Sequence, residues 1–153
     1  MLADLDVVIA SVHTRFKMGR EAMTRRIIAA MESDHVDILG HPTGRLLGQR
    51  DPYEVDMEAI IDAAARTGTT LEVNAAPERL DIKDTQVHLA RERGVRLAIG
   101  TDAHTSVHLH HMPLGVSTAR RGWAEAKDVV NTLPVAKLLE ALGRAAGASR
   151  RKR

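Results

Sequence analysis

The sequence predicts an α/β protein of about four parallel βα units followed by a carboxyl-terminal helix. Two observations carry this expectation. Runs rich in Val, Ile and Leu recur at Asp6–Val12, Val36–Gly40, Thr70–Ala75 and Arg96–Thr101. Helix-period stretches separate them, and this alternation is the pattern of successive βα units on a parallel sheet.

The helices follow in order. Met23, Ile27, Ile28 and Met31 form an apolar stripe at helical period, which predicts a helix over Arg20–Ser33 with that stripe facing the core. A second helix is expected over Asp56–Thr67, burying Ile60, Ile61 and Ala64 and stopped by Gly68. A third, Asp84–Arg93, follows an Asp81 to Asp84 approach and ends at Gly94, a residue free to take the left-handed conformation that closes helices. Beyond Asp102 the periodicity loosens. His104–Met112 reads as a loop, Pro113 as the opening of a short helix through Arg121, and Val135–Ala146 as a final amphipathic helix.

With 153 residues the chain falls in the one-domain range, with residues 1–146 as the folded part and residues 147–153 as a basic, disordered tail. Only Phe16, Tyr53 and Trp123 are aromatic, so the core has to be aliphatic and stacking on nucleobases has few residues to use. The formal net charge is only +2, and the sequence pI of about 9.3 owes something to Arg150–Arg153, which argues weakly for nucleic acid. The lack of cysteine excludes disulfides and thiolate metal sites. No apolar stretch approaches about 18 residues and no cationic, then apolar leader opens the chain, so a cytoplasmic protein without a membrane partner is expected.

Three histidine signatures carry the chemistry. Ser11-Val12-His13, Gly40-His41-Pro42 and Asp102-Ala103-His104 each stand at the carboxyl end of an apolar run. Parallel strands of a β/α barrel aim their carboxyl ends at one face, where residues distant in sequence converge. His13, His41, Asp102 and His104 together offer imidazoles and a carboxylate, a donor set suited to zinc, manganese or iron. The Asp-x-His spacing would send Asp102 and His104 to one side of an extended segment. Taken singly, each histidine is more often a polar residue satisfied at a strand end; the joint placement carries the argument. His35 and His88 fall in helical or helix-end contexts, and His108, His110 and His111 form a loop cluster without a preceding strand.

The segments Gly40-His41-Pro42-Thr43-Gly44-Arg45-Leu46-Leu47, Leu71-Glu72-Val73-Asn74-Ala75, Pro77-Glu78-Arg79-Leu80-Asp81, Thr101-Asp102-Ala103-His104 and Ala119-Arg120-Arg121-Gly122-Trp123 resemble the PHP (polymerase and histidinol phosphatase) domain of bacterial family X DNA polymerases. The resemblance runs over nearly the whole chain. It implies part of a distorted (β/α)7 barrel, with clustered divalent ions (Mn, Zn or Fe) at the strand ends and hydrolysis of phosphoesters. In the polymerase setting it implies a 3′-5′ exonuclease that trims DNA ends during repair. By the same resemblance His13 and His41 look like the metal ligands of the fourth and fifth strands, and Asp102 and His104 like the paired ligands of the last. Glu72 and Asn74 match the sixth-strand segment, where shaping of the neighbourhood is expected more than ligation. Arg45 and Arg79 fall in strand-following loops from which a guanidinium fork could bind phosphate oxygens.

A complete PHP domain also opens with a His-x-His motif and adds histidine, aspartate and bridging glutamate ligands before the strand that corresponds to His13. The chain therefore reads as the carboxyl-terminal half of such a domain. Its expected partners are DNA, a polypeptide carrying the amino-terminal half and polymerase core, or a second copy joined through the open sheet edge. Three readings follow: a phosphoesterase completed by further strands, a metal- or DNA-binding fragment without turnover, and a structural fragment without activity. A small-molecule phosphoesterase of the histidinol phosphatase kind is the alternative within the first. An adjoining reading frame with a His-x-His motif would favour the first.

Overall fold

The computed structural model describes residues 2–143 and shows the expected α/β architecture. Four parallel strands form one sheet in chain order, β1 (Ile9–Ala10), β2 (Ile38–Leu39), β3 (Thr70–Asn74) and β4 (Leu97–Gly100). The helices are α1 (Arg20–Met31), α2 (Met57–Thr67), α3 (Asp84–Glu92), α4 (Met112–Arg121) and α5 (Val135–Ala141). Each of the first three follows a strand and returns the chain to the next, which is how strands stay parallel and sequential.

The strands are shorter than the apolar runs that mark them, because side chains take over where the ladder ends. The Asp37 carboxylate accepts from Val8 N at 2.8 Å, just before β1. On the far side, Asn131 clasps the outer edge of β4. Its amide accepts from Ile99 N at 2.7 Å and donates to Ile99 O at 3.0 Å. That contact and the Leu97–Val129 bridge cover an edge that would otherwise present unpaired backbone groups.

Helix ends follow their sequence signals. Asp56 stands just outside α2 and its carboxylate accepts from Ala59 N at 3.1 Å, a side-chain cap on an otherwise orphaned donor. Gly68 and Gly94 take φ values of +74° and +70° where α2 and α3 stop. Two expectations change. His104–Met112 is not an open loop, since Ser106–His111 winds as a 3-10 helix leading into α4. The final helix is described only to Ala141, and residues 144–153, including the basic tail, lie outside the described residues. Among the described residues no helix is long and apolar enough to cross a membrane.

The core is aliphatic, as the shortage of aromatics requires. Met23, Ile27 and Met31 of α1 and Ile60 and Ile61 of α2 meet Leu71, Val73 and Leu97 of the sheet, all essentially inaccessible. The opposite face carries Ile38 and Ala98, packed against Val130 and Leu142. β3 is therefore buried on both sides, with Leu71 and Val73 in the main core and Glu72 and Asn74 on the other face. Ile61→Ala is expected to lower unfolding free energy by about 2–5 kcal/mol. Urea denaturation of the two proteins, with unchanged m-value, is the check.

Candidate metal centre

The chain leaves β1 and β2 side by side, and their carboxyl-end loops bring His13 and His41 together. Gly40 makes the approach possible: its N–H donates to Ala10 O at 2.8 Å, and a Cβ there would stand 3.0 Å from Ile9 Cγ2. The two imidazoles face each other with Nε2 atoms 3.3 Å apart and ring centroids 5.3 Å apart. Ser11 Oγ lies 3.1 Å from His13 Nε2. His13 is exposed, whereas His41 is buried at 6% relative accessibility. Burial first, then the Arg79 guanidinium, holds the His41 imidazole below the ordinary histidine pKa, so it favours the neutral form that a metal requires.

His41 has φ +28°, a conformation that a residue with a Cβ adopts only under constraint. Its loop is held from several sides. Glu72 Oε2 accepts from His41 N at 2.5 Å, and Asp81 Oδ2 accepts from Thr43 N at 2.9 Å and Gly44 N at 3.0 Å. Tyr53 donates its hydroxyl to Pro42 O at 2.6 Å, and Arg50 donates to Gly44 O at 2.7 Å. At Gly44 itself, with φ +62°, a Cβ would overlap the Tyr53 ring. Burial pushes the carboxyl pKa values of both Glu72 and Asp81 up, against the hydrogen bonds that favour their ionised forms.

The last expected ligands stand beyond β4 in a different arrangement. Asp102 takes φ +51°, so Asp102-Ala103-His104 is not the extended segment that the spacing predicts. Instead the chain curls and His104 Nδ1 meets Asp102 O at 2.6 Å. A carbonyl only accepts, so Nδ1 carries a proton and donates it to Asp102 O. The Asp102 carboxylate accepts from Arg79 Nε at 3.0 Å, in a half-shielded pair. Arg45 is turned inward, donating Nε to Arg79 O at 2.7 Å and a second N–H to Leu80 O. Of the two arginines expected to meet phosphate, Arg79 lies beside the candidate ligands. Arg45 cross-links the loop that carries it.

His13 and His41 fit a shared ion. Two imidazole nitrogens on a tetrahedral ion, each about 2.0–2.1 Å from it, stand roughly 3.3 Å apart, which is the separation found here. The remaining donors do not close on this pair: among the described residues no three of His, Cys, Asp or Glu converge tightly enough to hold a metal. The 3-10 turn adds His108, whose Nδ1 accepts from His104 N at 3.2 Å and whose ring stacks on His111 with centroids 5.4 Å apart.

Sequence reasoning missed Asp81 and Tyr53. Asp81 reads as part of a helix approach, yet it is fully buried and organises the histidine loop. An acidic residue set between Leu80 and Ile82 was the available signal.

Because burial lowers the His41 pKa in the folded chain, its contribution to stability is present above the ordinary value of 6.5 and is lost as pH falls below it. Between about pH 7.5 and about pH 5.5 the urea midpoint of the wild type is expected to fall more than that of His41→Asn, which tolerates positive φ and does not titrate there. Parallel slopes for the two proteins would contradict this.

No protein-family profile matches the chain. Over 131 residues, 86% of this chain, it is 46% identical to the DNA polymerase/3'-5' exonuclease PolX of Bacillus subtilis (strain 168). It is 30% identical over 151 residues to "Probable phosphatase Teth514_1060" of Thermoanaerobacter sp. (strain X514), and 33% identical over 113 residues to "Probable phosphatase TTE1963" of Caldanaerobacter subterraneus subsp. tengcongensis. The chain spans 23% of the length of the polymerase and 59% and 42% of the two phosphatases. With the parallel βα units and the strand-end histidines in place, these similarities bear out the resemblance: the chain is a PHP-type segment related to the bacterial family X DNA polymerases.

Proposed function

We propose that the chain carries part of the metal site of a phosphoesterase that hydrolyses DNA ends, as a 3′-5′ exonuclease serving DNA repair in the cytoplasm. The observation that carries this reading is the His13–His41 pair, whose nitrogens face one another at the separation two ligands of one ion have. The similarity to PolX supports DNA as the substrate.

In this reading His13 and His41 hold one divalent ion, and Asp102 and His104 contribute to others. Manganese, zinc and iron all suit that donor set. Bound ions would draw in the scissile phosphate and acidify a water for attack. The protein's part is positioning. Arg79 keeps Asp102 oriented while its remaining N–H groups stay available to phosphate oxygens, and Arg45 fixes the Arg79 loop through two backbone carbonyls. With one imidazole pair and two further single donors, the site gains from ligands on another segment. The open side of β1 supports this: among the described residues β1 pairs with β2 alone, and Ile9, Leu2 and Leu5 are exposed. An amino-terminal PHP segment with the polymerase core is the proposed partner for that edge, and a second copy of this chain is the other candidate.

A small-molecule phosphoesterase is the second reading, favoured by the similarity to the probable phosphatases. One experiment separates them. The purified chain, alone and mixed with a polypeptide bearing the His-x-His half, is assayed with manganese on a 3′-labelled oligonucleotide and on a small phosphomonoester. Oligonucleotide shortening from the 3′ end, at least about 100-fold lower in the His41→Ala/Asp102→Ala double variant, is the expected result. Turnover of the monoester alone supports the second reading. Hydrolysis indifferent to the double substitution overturns both.

A further inference from the structure

We propose that Glu72 and Gly100 form a buried lock that holds the His41 backbone in its metal-binding conformation, making Glu72 a positioning residue and not a ligand. The inference rests on the metal-site reading above. Glu72 lies on β3, and its neighbours across the β3–β4 ladder are Ala98, paired with Glu72, and Gly100, paired with Asn74. Side chains two residues apart share a face, so Glu72, Asn74 and Gly100 look the same way. Glu72 Oε2 takes the His41 N–H at 2.5 Å and an N–H of the Asn74 amide at 3.2 Å. The other oxygen, Oε1, lies over Gly100, where any Cβ would overlap it.

Two features make this a device and not incidental packing. His41 sits at φ +28°, so the strain lies at the very residue whose N–H Glu72 holds. A hydrogen bond to a buried oxygen, with no water competing for the N–H, is able to offset part of that strain. Secondly, the atom that a residue-100 side chain would displace is the far end of a flexible chain. Gly100→Ala should therefore swing the carboxylate aside without disturbing the sheet. Groups that hold a metal ligand in place without touching the metal typically change its affinity about 10–100-fold when removed.

A double-mutant cycle tests the lock in the full chain, with two readouts. The first, on metal-free protein, is the amide shift and hydrogen-exchange rate of His41. The second is manganese affinity by calorimetry. Glu72→Ala and Gly100→Ala are each expected to shift the His41 amide, speed its exchange and weaken manganese about 10-fold or more. Glu72→Gln, which keeps an acceptor, should recover most of the loss. In the Glu72→Ala background Gly100→Ala should add nothing further, because the atom it displaces is gone. An unaltered His41 amide in Glu72→Ala, or an undiminished Gly100→Ala effect in that background, overturns the lock. If the wild type takes up no manganese, the metal-site reading fails while the amide cycle still decides whether the lock exists.

Discussion

Everything at the candidate centre depends on one constraint: successive backbone N–H groups of the His41–Gly44 loop end on two buried carboxylates. Glu72 receives the N–H of His41, and Asp81 those of Thr43 and Gly44. Neither carboxylate faces bulk water, and burial alone pushes both toward the neutral form. Donors that are otherwise orphaned compensate them, and the carboxylates in turn give a non-helical, positive-φ loop a single conformation. Without that exchange the loop would be free to relax and His41 would lose its facing position against His13.

The sheet supplies the platform for this exchange with little regular ladder. β1 and β2 are two residues each, too short to be stable by backbone pairing alone, and the aliphatic helices on the core side hold them. Parallel strands in chain order put the ends of β1, β2 and β4 on one face, which carries His13, His41 and Asp102 to the same rim. Glycines then allow close approaches: Gly40 lets the second loop come down on β1, and Gly100 leaves room for the Glu72 carboxylate.

Charge at the rim is balanced between chemistry and structure. Arg79 neutralises Asp102, while Arg45 is spent on backbone carbonyls, so two arginines that look alike in sequence do different work. The difference comes from which loop each guanidinium reaches, a matter of tertiary contact. His104 shows the same dependence: its ring orientation is set by the Asp102 carbonyl and not by strand alternation.

The sequence by itself determined the four βα units, the helix-facing residues and the candidate histidines, because these follow from local periodicity and from apolar runs that end in a polar signature. Met23, Ile27, Ile60 and Ile61 are buried as their spacing requires, and Gly68 and Gly94 stop helices where the pattern breaks. Only the tertiary structure decided that His13 and His41 meet, that Asp102 turns to Arg79, and that Asp81 is buried beneath the loop. Those relations join residues 28, 23 and 38 positions apart. They depend on backbone angles such as the positive φ of His41 and Asp102, which long-range contacts impose and local residue preference would oppose.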